Sequence, residues 1–170
     1  FTNFLSLGVS DIAIAKTNPN IVYVATGDGD GTIGTGGKDF YTIGLIKTTD
    51  AGTTWTVTGF SKELYESKLI TRILLNPDNE NIILAATNVG IYKSIDGGDT
   101  WTLKTTEGSY IDMEFKPGDY HTVYASTYNY GGSCFISVST DNGETWKKVY
   151  SVPYANRLAI ATTPANPDYV

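Results

Sequence analysis

The chain has 170 residues, 41% of them hydrophobic, and carries 12 Lys+Arg against 18 Asp+Glu for a formal charge of −6. With two arginines, Arg72 and Arg157, it lacks the basic face that a nucleic-acid partner needs. Cys134 is the single cysteine, which excludes an internal disulfide framework and a cysteine metal cluster, and no apolar run is long enough to span a bilayer.

The 12 Tyr, 6 Phe and 3 Trp, set among 18 Gly, suit many short strands joined by tight turns. The chain opens on Phe1 with no signal-peptide pattern, and the absence of an Asn-x-Ser/Thr sequon argues against a glycosylated eukaryotic ectodomain.

In chain order, residues 9–14 read as a strand, Asn18-Pro19-Asn20 as a turn, and residues 21–25 as a second strand. A glycine-rich loop over 26–40 follows, then the hairpin Thr48-Thr-Asp50-Ala-Gly52-Thr-Thr54-Trp55. After a linker at 59–69 the order recurs: strand 70–75, turn Asn76-Pro77-Asp78, strand 82–86, short loop 87–90, hairpin Ser94-Ile-Asp96-Gly-Gly98-Asp-Thr100-Trp101.

It recurs again after a linker at 107–110. Strand 111–115 leads to turn Lys116-Pro117-Gly118, strand 122–125, loop 127–134 and hairpin Ser139-Thr-Asp141-Asn-Gly143-Glu-Thr145-Trp146. Beyond a linker at 150–157, residues 158–161 read as another inner strand, followed by turn Asn166-Pro167-Asp168 and the start of a strand at Tyr169-Val170.

The three hairpins align without gaps as Ser/Thr-x-Asp-x-Gly-x-Thr-Trp. Their aspartates stand 46 (96 − 50) and 45 (141 − 96) residues apart, and every tryptophan of the chain closes one of them. A period of that length with four strands per unit is the signature of a β-propeller. The fold expected is therefore all-β, with four-stranded antiparallel blades at about 8–60, 69–106 and 110–150 and a fourth beginning near 158, about three and a half blades in all. Such a set leaves open edges, which sheets avoid, so the remaining blades are expected from the same chain or from a partner protein.

These hairpins resemble the Asp-box (BNR) repeat of bacterial sialidases, sortilin-type domains, xyloglucanases and photosystem assembly factors. The Asn-Pro-Asn-x-Val-Tyr-Val-Ala run at 18–25, taken with the repeated box, is most similar to sortilin-like and xyloglucanase-like propellers and to surface proteins exported by gliding Bacteroidetes. The resemblance is specific for fold and unspecific for function, since enzymes and binding proteins share it.

Within each box a structural role is expected for Asp50, Gly52 and Trp55, for Asp96, Gly98 and Trp101, and for Asp141, Gly143 and Trp146. The Asp accepts backbone N–H bonds across the turn, the Gly takes positive φ, and the Trp covers the hairpin. The Asn-Pro turns and the boxes fall on one stereotyped face, which also carries the lone His121. The opposite face holds the variable loops, where recognition is expected.

In its longest loop Asp28, Asp30 and Asp39 are binding candidates. Asp28 and Asp30 are also the candidates for an oxygen-ligated Ca²⁺, against the alternative of a glycine-rich loop with solubilising carboxylates. Tyr128 and Tyr130, in the loop of the third repeat, can stack on a sugar, anchor a protein partner, or pack on the neighbouring loop.

For catalysis, the two arginines do not supply the arginine triad of a sialidase-like site. The xyloglucanase resemblance implies a catalytic acid after an early second strand, which is Asp28 here, although Gly29-Asp30-Gly-Thr departs from the family's continuation. The function expected is a non-catalytic binding or scaffolding module of a larger secreted or cell-surface bacterial protein, with no cofactor and with a protein or polysaccharide partner on the variable-loop face. The alternative is a glycoside hydrolase of which this is the N-terminal part.

Overall fold

A computed structural model describes residues 8–27, 42–60 and 69–170. They form three four-stranded antiparallel sheets. The first holds β1 (Val9–Ile14), β2 (Val22–Thr26), β3 (Leu45–Thr48) and β4 (Thr56–Val57), and the second β5 (Ile70–Asn76), β6 (Asn79–Thr87), β7 (Gly90–Ser94) and β8 (Thr102–Thr105). The third holds β9 (Ser109–Lys116), β10 (Asp119–Tyr128), β11 (Ser133–Ser139) and β12 (Lys147–Pro153). In each sheet the strands lie in sequence order, the meander of a propeller blade. Among the described residues no helix is long and apolar enough to cross a membrane.

The blades match residue for residue. The first residue of each box pairs with the same point of the second strand: Thr48 with Val22, Ser94 with Ile83, Ser139 with Val123. The inner strands align in the same way, because Asp11, Arg72 and Asp112 pair with Ala25, Ala86 and Ser126.

The core lies between blades. Tyr23, Ala25 and Leu45 of the first blade meet Ile70, Ile73, Ile83, Ala85 and Tyr92 of the second, with Phe60 from the linker wedged between them. Leu84, Ala86 and Ile91 of the second meet Tyr110, Met113, Val123 and Ala125 of the third. Blade-on-blade packing buries both faces of the middle strands, and so β7 is buried throughout.

The two ends of the blade set differ from its middle. The inner strand of the first blade is open on one face: Ile12 is 56% exposed, whereas Ile73 and Met113, its equivalents, are 2% and 0% exposed. No preceding blade covers it among the described residues. Residues 158–161 form no strand, although they occupy the place of a fourth inner strand. The Leu158 carbonyl accepts from Ser126 Oγ at 2.7 Å, the Ile160 amide donates to Asp112 Oδ2 at 3.1 Å, and Thr162 Oγ1 donates to the Phe115 carbonyl at 3.1 Å. A segment held from one side, with no second strand paired beside it, makes only the isolated bridge between Tyr128 and Arg157.

Candidate functional site

The three boxes are built from one repeated set of hydrogen bonds. The opening hydroxyl (Thr48, Ser94 or Ser139) donates to Oδ1 of the box aspartate at 2.7–2.8 Å and accepts the glycine amide at 2.9 Å. The aspartate's Oδ1 also accepts the amide of Thr54, Thr100 or Thr145 at 2.8–2.9 Å, and its Oδ2 accepts that threonine's hydroxyl at 2.5–2.6 Å. The tryptophan Nε1 closes the turn by donating to the glycine carbonyl at 3.0–3.2 Å.

Donors on both oxygens favour the ionised form, and each carboxyl is lowered to about 2. The threonine hydroxyl leads for Asp50 and Asp96. For Asp141 burial pushes upward and is outweighed by Thr145 and Ser139. Three donors from its own hairpin hold each carboxylate in one orientation and occupy three of its roughly four acceptor sites.

The box tip is tied to the proline turn of its own blade or to the start of the strand that leaves it. Amides of Ala51, Gly97 and Asn142 donate to the carbonyls of Asn20, Asn81 and His121 at 3.1, 3.0 and 2.8 Å, which fixes both on one face. The second and third tips also grip the preceding blade. The Gly97 carbonyl accepts from the Tyr23 hydroxyl at 2.9 Å and from Lys47 Nζ at 3.2 Å. In the third box Glu144 takes Lys93 and Lys104, both at 2.6 Å, and Asn142 Oδ1 accepts from Asn76 at 3.0 Å.

Of the variable-loop candidates, Asp28, Asp30 and Asp39 lie outside the described residues. Among the described residues no group of three or more His, Cys, Asp or Glu side chains is arranged to hold a metal ion. Tyr128 is the last residue of β10, half-buried and bridged to Arg157. Tyr130 stands at the tip of the loop, 80% exposed.

The loop is braced by the link that follows β12. The Asn129 amide donates to the Asn156 carbonyl, the Gly131 amide to Asn156 Oδ1, both at 3.0 Å, and Cys134 Sγ donates to the Ala155 carbonyl at 2.9 Å. That link presents Tyr154, 94% exposed with φ of 59°. Sequence reasoning assigned the link only to the variable face, yet a tyrosine one residue before Ala155-Asn156, directly across from Tyr130-Gly131-Gly132, was the available signal.

A second grouping was not anticipated. Arg72 lies in the middle of its inner strand, with Asp112 Oδ1 at 3.5 Å, Asp11 Oδ1 at 3.7 Å and Glu114 Oε1 at 2.7 Å. Asp11 Oδ2 accepts the Ile73 amide at 2.8 Å, as Asp112 accepts that of Ile160. Aligning the inner strands places Asp11, Arg72 and Asp112 at one position, and the charge alternation there was legible in the sequence. The grouping ties neighbouring inner strands together and neutralises part of its own charge.

The BNR/Asp-box repeat model matches residues 137–148. No curated protein sequence matches the chain. Among solved structures it is similar to an ancestral GH74 enzyme at 21% identity and TM-score 0.67, covering 88% of this chain and 19% of that one. It is similar also to the GH74 enzyme of Niastella koreensis at 25% identity and TM-score 0.61, covering 84% and 22%. YCF48 bound to D1 peptide aligns at 14% identity and TM-score 0.52, covering 84% and 40%. The chain thus spans about a fifth of the length of the two GH74 enzymes. Three sequential four-stranded blades, each closed by the same hydrogen-bonded hairpin, make this chain part of a β-propeller of the Asp-box repeat type.

Proposed function

We propose that the chain is part of a non-catalytic recognition or scaffolding propeller in a larger secreted or cell-surface bacterial protein, with the variable-loop face as its working surface. The observation that carries this reading is the contrast between the two faces. On the box face every box carboxylate is held by three donors of its own hairpin, while on the loop face Tyr130 and Tyr154 are displayed to solvent from braced backbone. Side chains offered on rigid backbone lose little entropy on binding, which is what a recognition surface requires. The test replaces residues 129–132 of the full-length protein with the Asn88-Val89 loop of the second blade. Co-sedimentation with cell-envelope and extracellular fractions should fall at least tenfold with melting unchanged. Unaltered co-sedimentation would reject the loop face as the working surface.

A glycoside hydrolase is the second reading, favoured by the likeness to the Niastella koreensis GH74 enzyme. On it Asp28 would act as general acid. The full-length protein should then release reducing ends from xyloglucan, and Asp28→Asn should slow release by roughly 10²–10⁴-fold. Absence of release by the full-length protein would sink it.

A further inference from the structure

We propose that Tyr130 and Tyr154 form a stacking platform for a neutral polysaccharide chain, a proposal that rests on the loop face being the recognition surface. Four features point there. The first is exposure: the two rings are more open to water than any other large apolar side chain among the described residues, at 80% and 94%.

The second is rigidity. Ser133 pairs with Pro153 and Cys134 with Val152 at the end of the β11–β12 ladder, and beyond it the Asn156 carbonyl and side-chain oxygen hold the amides of Asn129 and Gly131. The two ring-bearing segments are therefore tied to each other before a ligand arrives.

The third feature is the lack of charge. No Asp, Glu, Lys, Arg or His occurs over 128–134 or over 149–156, and Arg157, the first beyond, has an interaction of its own. A polyanion would find no set of cations here, and a neutral chain desolvates no ion on docking. The fourth is the surroundings. Asn129, Gly131, Gly132, Ser133, Ala155 and Asn156 offer no bulky apolar wall, so the site lacks the packed pocket in which an aromatic anchor of a protein interface is desolvated. An open ring face suits instead the C–H face of a sugar, whose partial positive charge meets the negative face of the ring, while hydroxyls stay hydrated or meet the amides.

The experiment uses the full-length protein in native gels containing xyloglucan, hydroxyethylcellulose or galactomannan, with polygalacturonate as charged control. At least one neutral polymer should retard the wild type while polygalacturonate does not. Tyr130→Ala and Tyr154→Ala should each weaken retardation about tenfold, and Tyr→Phe at either position should retain it. Both rings are exposed, so the variants should melt with the wild type.

Retardation unchanged in the double alanine variant, or retardation by polygalacturonate alone or by no polymer, overturns the proposal. If the 129–132 loop exchange abolishes co-sedimentation while the double alanine variant leaves it intact, the recognition reading stands and the sugar platform falls. If the loop exchange too has no effect, both fall together.

Discussion

At the residue scale the box aspartate is a turn-locking group. Its carboxylate accepts two hydroxyls and one amide from within an eight-residue hairpin, so replacing Asp96 by Ala strands three donors at once. Thr100 keeps access to water, whereas Ser94 is 1% exposed and its stranded hydroxyl sets a cost of about 1–3 kcal/mol in chemical denaturation. The lowered carboxyls give the pH dependence. A folded value of about 2 against an ordinary 3.8 means the stabilisation is fully present above about pH 4 and is lost as pH falls through 2. The melting temperature of the wild type should drop over that window, and that of a triple Asp→Asn variant should drop less steeply. The glycine is as tightly constrained. Gly143 has φ of 83°, and a Cβ there would lie 2.5 Å from Leu84 of the preceding blade.

At the element scale the blades are held by what is wedged between them. Phe60 shows this best: it is fully buried and meets Tyr92 and Trp101 edge-on at 5.1 and 5.0 Å. Phe60→Ala should cost about 3–5 kcal/mol, read from the shift of the denaturation midpoint, because nothing on either side can collapse into the gap. At the next interface Tyr110, near the start of β9, packs on Phe135 and Trp146. The sequence shows the boxes and not this wedge, because the wedge comes from linkers of unlike length that carry no motif.

At the scale of the whole molecule the decisive feature is the uncovered face of the first blade. Ile12 and Ile14 are 56% and 59% exposed, while their equivalents in later blades pack against the blade before. A longer propeller would bury this face. Ile12→Asp should therefore destabilise the full-length protein by about 2–4 kcal/mol and leave the 170-residue chain within about 0.5 kcal/mol of its parent, compared by denaturant titration. Equal effects in both would mean that nothing packs on the first blade.

By itself the sequence determined the repeat, the four strands per unit, the hairpin that closes each blade and the face on which that hairpin lies. These are local: a Ser/Thr-x-Asp-x-Gly-x-Thr-Trp run contains every donor and acceptor its turn needs, so its geometry can be read without knowing what surrounds it. The tertiary structure alone decided which side chains meet across blades. Arg72 gathers Asp11 from the inner strand before it and Asp112 and Glu114 from the one after, and the link after β12 is pinned to the loop that carries Tyr130. Those groupings depend on the rotation from one blade to the next and on where a linker of no fixed pattern is pinned. Neither is encoded in spacing along the chain.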